Sequence, residues 1–187
     1  KLSAGHKYDV TTNIFDKLGF LFFDKKPVDG KDYIQVYGRE NNNRVYKWIR
    51  REYMKPHPNL ERYKVLLPKS TSSGKLGEEL SSPIVGDPGV AYTQTFLSIG
   101  AFDRRGEAES VLKYIKSKFA RAMLGTLKVT QHNAGPAWRN VPSQNFGSTS
   151  DIDWSQSISN IDQQLYKKYG LNSEEIAFIE AEIRPME

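Results

Sequence analysis

The sequence of 187 residues predicts an α+β fold. We expect a small, twisted, mostly antiparallel sheet with long loops. A core helix should pack behind this sheet, and a helical C-terminal tail should follow it. Two observations support this prediction. Short segments rich in β-branched and aromatic residues come early in the chain and helical periodicity comes late, an order typical of α+β proteins rather than of doubly wound sheets. The chain is also 38% hydrophobic, which is enough for one domain with a packed appendage.

Four segments are predicted as strands because they are short, rich in β-branched and aromatic residues, and bounded by turn-forming residues. These segments are Leu18–Phe23, Tyr33–Tyr37, Tyr63–Leu67 and Thr93–Ile99. The first is almost entirely apolar, so its composition also fits a buried helical segment, although its length favours a strand. Asp29-Gly30 and Asp87-Pro88-Gly89 predict turns between the strands.

Four helices are predicted from apolar residues that recur every three or four positions. They span Arg44–Lys55, Glu107–Leu124, Ser155–Tyr169 and a last segment from Asn172 or Ser173 to the residues before Pro185. Asn43 is placed to cap the first helix, Asp103 to cap the second, and Gly125 to end the second in a left-handed conformation. The late helices predict a C-terminal brace, residues 143–187, packed on a first domain of residues 1–142.

Composition excludes several classes of protein. The absence of cysteine excludes a disulfide scaffold, a thiolate metal site and a cysteine nucleophile. No apolar run approaches the roughly 20 residues needed to span a bilayer, and no signal-peptide pattern opens the sequence. We therefore expect a soluble, cytoplasmic domain with no membrane partner. Because Lys1 is not an initiator residue, we also expect the chain to be a piece of a longer polypeptide.

The net charge of +5 is distributed unevenly along the chain. Residues 1–128 carry 23 Lys and Arg against 14 Asp and Glu, whereas residues 129–187 carry 4 against 8. The stretch Arg39–Lys75 alone carries 10 basic and 3 acidic residues. This asymmetry predicts that the first part of the chain faces a polyanion.

The sequence shows no recognisable catalytic motif. It has no glycine-rich phosphate loop, no closely spaced histidine pair and no Asp/Asn-Pro-Pro-aromatic segment of the kind that adenine methyltransferases use. Asp151 and Asp153 form a carboxylate pair that suggests a small metal-dependent nuclease as an alternative function. No third ligand completes that pair, and its position before a helix favours a capping role. We predict no catalytic residue, metal site or cofactor site in this chain.

Basic and amide-bearing residues instead predict a DNA-binding surface. The helix predicted from Arg44 to Lys55 carries a cationic face suited to phosphates, and the loops offer hydroxyl, ammonium and amide groups suited to phosphates and base edges. For the turn Asn41–Asn43, a purely structural role fits equally well. The candidate DNA contacts are Arg39, Asn42, Arg44, Lys47, Arg51, Lys69, Ser70, Thr71, Ser73, Lys75, Lys128, Gln131 and Asn133.

A series of segments from Tyr63 onward carries a resemblance to a known family. The segments are YKVLLPKSTSSGKLGE, TQTFLSIGAFD, EAESVLKYIKSKFARAMLGTLKVTQ, AWRNVP, SDIDWSQSISNIDQQLYKKYGL and EEIAFIE. They resemble the C-terminal target-recognition region of bacterial type II restriction–modification enzymes that fuse a methyltransferase to an endonuclease. The chain is similar also to the specificity part of Taq-type adenine DNA methyltransferases. The resemblance extends from about residue 33 to the end and is most specific over residues 93–169.

The resemblance implies that residues 1–142 form a domain that recognises a specific sequence of double-stranded DNA for a parent restriction–modification enzyme. The implied partner is an upstream methyltransferase domain of the same polypeptide, which would use S-adenosylmethionine, and a fused nuclease would use magnesium. The recognition segments would be Lys69–Lys75 and Thr93–Thr95, which adds Gln94 to the candidate DNA contacts. A protein-interaction module, with acidic C-terminal helices docked on a partner subunit, stays open as a second alternative.

Overall fold

The structure is a computed structural model that describes residues 10–70, 75–127 and 135–186. These ranges contain five α-helices and six strands, which confirms the predicted α+β class. No helix in them is long and apolar enough to cross a membrane. In chain order the elements are α1 (Ile14–Lys17), β1 (Tyr33–Glu40), β2 (Asn43–Arg50), β3 (Tyr63–Pro68), β4 (Ile84–Gly86), β5 (Val90–Tyr92), β6 (Phe96–Phe102), α2 (Arg105–Lys116), α3 (Lys118–Leu127), α4 (Ile158–Tyr169) and α5 (Ser173–Glu182), with short 3-10 helices at Gly19–Leu21, Arg51–Tyr53 and Gly135–Asn140.

The strands form two three-stranded sheets. In the first sheet, β1 lies between β2, which is antiparallel to it, and β5, which is parallel to it. In the second, β3 lies between β4 and β6, and both pairings are antiparallel. The two sheets meet through a small apolar cluster, in which Tyr37 and Val90 of the first sheet pack with Leu66 and Phe96 of the second.

The segment predicted as the helix Arg44–Lys55 is instead the second strand of a β-hairpin. Asn41 and Asn42 have φ angles of 48° and 63°, the left-handed pair that a two-residue type I′ turn requires. The turn interpretation of this asparagine run is therefore confirmed. The helix prediction is wrong because residues four apart share a face in a strand as well as in a helix, so the spacing of Val45 and Ile49 fits both.

The predicted strand Leu18–Phe23 is also wrong. A 3-10 turn at Gly19–Leu21 follows α1, and within this segment only Phe23 makes a strand-like bridge, to Trp48 of β2. Its apolar residues cover the inner face of the first sheet, where Phe22 packs in one cluster with Ile34 and Ile49. The last predicted strand starts later than expected and runs to Phe102.

The predicted helix Glu107–Leu124 is divided into α2 and α3 at Ser117, whose ψ of 150° is extended. The Ser117 hydroxyl accepts a hydrogen bond from the backbone N–H of Ala120, and the Asp162 carboxylate of α4 accepts two more from the first residues of α3. The break is therefore stabilised by capping groups, one of which comes from a distant part of the chain.

Two of the predicted helix ends are placed differently in the structure. Gly125 lies inside α3, where a side chain would collide with Leu76, so this glycine permits close packing rather than a left-handed stop. Asp103 pairs with Arg62 instead of capping α2. The predicted start of the last helix is confirmed, because the Asn172 side chain caps α5 by accepting from the backbone N–H of Glu175 at 2.9 Å.

The largest hydrophobic core joins the second sheet to the four later helices. Val65 of β3, Val111 of α2 and Leu165 of α4 are buried in this one cluster. Arg121 of α3 is buried beside it, and its guanidinium donates to the backbone carbonyls of Lys116, Gly77 and Arg184. The helices after residue 142 thus share a core with the second sheet.

Lys64 holds the turn between β4 and β5 against the segment before β3. Its side chain is fully buried, and its Nζ donates to the carbonyls of Leu60 (3.3 Å), Arg62 (3.1 Å) and Asp87 (3.0 Å). Burial lowers the pKa of the Lys64 ammonium to about 8. This lysine is therefore a structural residue, although it belongs to the basic stretch that predicts a polyanion-binding surface.

Candidate nucleic-acid interface

Six of the predicted DNA contacts lie together at one end of the two sheets. Arg39 and Arg44 are opposite each other next to the hairpin turn, which contains Asn42. The backbone N–H of Thr93 donates to Tyr37 of β1, and the backbone N–H of Lys69 donates to Thr95. The chain around Gln94 is thereby held between the end of β1 and the end of β3. We call this set the hairpin-end cluster, and its members are Arg39, Asn42, Arg44, Lys69, Ser70 and Gln94.

The hairpin-end cluster is open to solvent and positively charged. All six side chains are exposed. Among the described residues, no carboxylate forms an ion pair with Arg39, Arg44 or Lys69, so the three charges are not neutralised locally. Uncompensated cations beside amide and hydroxyl groups suit phosphate and base contacts.

Arg44 has a structural task within the cluster. Its two terminal nitrogens donate to the backbone carbonyls of Ser81 and Ser82, each at 2.6 Å, and its guanidinium lies 5.9 Å from the ring centre of Phe96. Ser82 has a φ of 42°, which is a left-handed backbone conformation that is unfavourable for a residue other than glycine. The two hydrogen bonds from Arg44 help to stabilise this conformation. Arg44 therefore adds charge to the surface while its donors fix the loop before β4.

Lys47 does not lie on a face with Arg44, contrary to the sequence prediction. Residues three apart point to opposite sides of a strand, so Lys47 faces inward from β2. There it forms ion pairs with Asp24 (2.9 Å) and Glu40 (3.0 Å), and hydrogen bonding to Asp24 raises the pKa of its ammonium. Its charge is compensated within the chain.

The charge of Arg51 is also compensated by carboxylates of the chain. It follows β2 in a 3-10 helix and pairs with Asp32 and Glu61, at 2.7 and 2.5 Å. Hydrogen bonding to Glu61 raises the pKa of its guanidinium. The predicted cationic helix face from Arg44 to Lys55 therefore does not exist, and Lys47 and Arg51 are not free to neutralise phosphates without breaking internal pairs.

One further predicted contact, Lys75, lies in the described ranges but outside the hairpin-end cluster. Lys75 directly precedes Leu76, which packs against α3 at Gly125 in the part of the molecule that holds the later helices. The other five lie outside the described residues, and they are Thr71, Ser73, Lys128, Gln131 and Asn133.

A second polar surface was missed by the sequence analysis and adjoins the hairpin end. The exposed side of β2 alternates Arg44, Tyr46, Trp48 and Arg50. On the same side, Gln35 of β1 lies opposite Trp48, and the Lys26 ammonium lies 5.5 Å from the centre of the Trp48 ring. We call this surface the aromatic–basic face, and its members are Lys26, Gln35, Tyr46, Trp48 and Arg50. The Arg-x-Tyr-x-Trp-x-Arg alternation is its sequence signal, visible once the segment is taken as a strand.

The carboxylate pair Asp151 and Asp153 serves structural purposes. Asp151 forms an ion pair of 2.8 Å with Lys168, and Asp153 accepts from the backbone N–H and hydroxyl of Ser155. These partners lower the pKa of both carboxyls. In the described ranges no group of three histidine, aspartate or glutamate side chains is placed to hold a metal ion.

Comparison of the chain with protein-family models, with curated proteins and with solved structures finds no match.

Proposed function

We propose that this chain recognises a specific sequence of double-stranded DNA as the target-recognition part of a restriction–modification enzyme. The observation that carries the proposal is the hairpin-end cluster, in which six residues proposed from sequence as DNA contacts lie together and exposed. The members of the cluster lie at the ends of two sheets and in segments up to about 50 residues apart in the chain. Adjacency in the sequence therefore does not account for the clustering.

The shape of the cluster suits the major groove of DNA. A two-stranded antiparallel ribbon is narrow enough to enter that groove. Beyond Tyr37, where the pairing with β5 ends, β1 and β2 form such a ribbon, which ends in the turn Asn41-Asn42. Arg39 and Gln94 are of the residue types that form paired hydrogen bonds with guanine and adenine, respectively. Lys69 and Ser70 offer a charge and a hydroxyl to the phosphates beside them.

The catalytic residues would lie in another part of the parent polypeptide. An upstream methyltransferase domain would bind S-adenosylmethionine and modify an adenine that is rotated out of the duplex. The residues of this chain would hold the duplex in register while that domain acts.

Selection of bound duplexes from a randomised pool at about 0.15 M salt tests the proposal, because non-specific attraction is screened beyond roughly 8 Å there. We expect one enriched motif. Gln94→Ala should relax the preference at a single position of it, whereas Lys167→Ala, which removes an exposed charge from α4, should leave the motif unchanged. Binding at low salt without any enriched motif would contradict sequence recognition and indicate a phosphate-binding surface only.

A protein-interaction module is the second candidate, and an apolar groove between α3 and α5 favours it. The groove has a volume of about 520 Å³ and is lined by Phe119, Met123, Tyr169 and Phe178, of which Phe178 is 54% exposed. If this groove docks the upstream segment of the same polypeptide, a pull-down of that segment should be lost with Phe178→Ser and unaffected by Arg39→Ala. The opposite pattern would exclude docking at the groove.

A further inference from the structure

The two aromatic rings on the outer side of β2, those of Tyr46 and Trp48, are partly exposed to solvent. Tyr46 is 41% exposed, and its ring centre lies 4.7 Å from that of Tyr37. Trp48 is partly exposed, no other aromatic ring of the described residues stacks on it, and the Lys26 ammonium lies 5.5 Å from its ring centre. Large rings with a free face on a solvent-exposed sheet are suited to stacking on another planar group.

Charge around these rings favours a polyanion as the source of that planar group. The exposed Lys26 lies at the Trp48 ring. Arg50 follows Trp48 two positions later on the same face, where its guanidinium forms an ion pair of 2.9 Å with Glu52 and is therefore compensated within the chain. Lys25 is exposed beside Lys26. Across residues 10–70 the sequence has 13 Lys and Arg against 7 Asp and Glu. Aromatic rings beside cations can stack on the bases of a nucleic acid strand while the cations contact its phosphates.

The spacing of the rings selects unpaired bases over a regular duplex. Residues two apart on a strand place their side chains roughly 7 Å apart. Consecutive bases of a duplex are stacked at about 3.4 Å and offer no free face to an inserted ring. A strand whose bases are unstacked can present one base to each ring, and Gln35 of β1, opposite Trp48, can form hydrogen bonds with a base edge.

We propose that the aromatic–basic face binds unpaired DNA bases, which stack on Tyr46 and Trp48 while Lys26 contacts a flanking phosphate. The inference depends on the proposed DNA-binding function and extends it, because it assigns the hairpin-end cluster to paired DNA and the neighbouring face to an unpaired segment. The two surfaces are continuous through Arg44 and Tyr46, so one DNA molecule can contact both.

The experiment measures the binding of the full 187-residue chain to three labelled DNA probes by fluorescence anisotropy. The probes are a 12-nucleotide oligothymidine, a matched 20-base-pair duplex, and the same duplex with a three-thymidine bulge. We expect the oligothymidine and the bulged duplex to bind about 5-fold or more tightly than the matched duplex. The double variant Tyr46→Leu/Trp48→Leu should lose this preference and bind the matched duplex within 2-fold of the unaltered chain.

Two further variants keep the test independent of folding defects. Phe178→Leu changes an exposed aromatic residue far from the face and should keep the preference. Trp48→Phe retains a ring, so it should keep binding, while the quenching of tryptophan fluorescence by oligothymidine should fall because Trp138 and Trp154 lie elsewhere in the chain.

The outcomes separate this inference from the proposed function. Equal binding of matched and bulged duplexes, or a preference that persists in Tyr46→Leu/Trp48→Leu, would overturn the stacking role and leave duplex recognition intact. Tighter binding of an oligouridine RNA than of oligothymidine would overturn the assignment to DNA. Failure to bind any of the DNA probes, even at low salt, would overturn both.

Discussion

The backbone N–H of Phe119 donates a hydrogen bond of 2.9 Å to the carboxylate of Asp162, which lies 43 residues later in the chain. The same carboxylate accepts from the N–H of Lys118 at 3.1 Å. The first N–H groups of a helix lack partners within the helix, so Asp162 of α4 satisfies two of them at the start of α3. The negative charge also interacts favourably with the helix dipole at that end. A break in the α2–α3 segment is thus stabilised by a residue from another helix.

Replacing Asp162 by Ala should lower the free energy of unfolding by about 2 kcal/mol, because one buried and one partly buried N–H would lose their acceptor. Asp162→Asn should cost less, since the amide oxygen still accepts a hydrogen bond. Urea denaturation monitored by circular dichroism measures the free energy of unfolding of both variants.

Asp151→Ala is the matched control for this experiment. Asp151 also pairs with a basic residue, Lys168, but it is exposed, so its removal should cost well under 1 kcal/mol. If Asp162→Ala were no more destabilising than Asp151→Ala, the carboxylate would not be needed to hold the start of α3.

Lys64 should make stability depend on pH in an alkaline window. Burial lowers its pKa in the folded chain to about 8, whereas an unfolded lysine titrates near 10.4. Below pH 8 the Lys64 side chain is protonated in both the folded and the unfolded state. Between the two pKa values it is protonated mainly in the unfolded state. The free energy of unfolding should therefore rise with pH in this range. The rise should be of the order of 3 kcal/mol across the window.

Comparison with Lys64→Met isolates this contribution from other titrating groups. The variant leaves three carbonyls without their donor, so it should be less stable than the unaltered chain at pH 7. The difference between the two unfolding free energies should then widen from pH 8 to pH 10. Parallel pH curves would show that the Lys64 pKa is the same in the folded and unfolded states.

Local signals predicted much of the fold. The β-branched and aromatic segment Tyr63–Leu67 forms a strand, and Asn172 caps α5, because both depend on the residues themselves and their immediate neighbours. The spacing of Val45 and Ile49 did not distinguish a helix from a strand, and the decisive signal was the pair Asn41-Asn42, which favours a tight turn. The interruption at Ser117 depends on Asp162, so no local pattern could reveal it.

The candidate site was predicted only in part, because residue type alone shows neither where a side chain lies in the fold nor which groups it contacts. Residue type marks Arg39, Lys69 and Gln94 as possible DNA contacts, and the fold places them together. Residue type does not show which cations are neutralised by distant carboxylates, as Lys47 is by Asp24. The aromatic–basic face was missed because its alternation becomes visible only when the segment is taken as a strand.

Lys47→Met should lower the free energy of unfolding by about 1 kcal/mol, because Glu40 would lose its partner at a partly buried position. DNA affinity and its salt dependence should stay unchanged, since the Lys47 ammonium faces away from the hairpin-end cluster. Urea denaturation and anisotropy titrations with a duplex measure the two effects. A weaker salt dependence in this variant would show that Lys47 leaves its ion pairs to contact phosphate.

Arg39→Ala/Lys69→Ala should give the contrasting result, a reduced salt dependence with little loss of stability. Both side chains are exposed, and within the described ranges neither forms an ion pair, so each is available to neutralise a phosphate. Each phosphate contact contributes about 0.9 to the slope of log affinity against log salt concentration, so the double variant should flatten that slope by about 2. Titrations of a duplex from 0.05 to about 0.2 M salt measure it. Lys167→Ala, which removes an exposed charge from α4, should leave the slope unaltered. An equal slope in Lys167→Ala and the double variant would place the phosphates elsewhere on the chain.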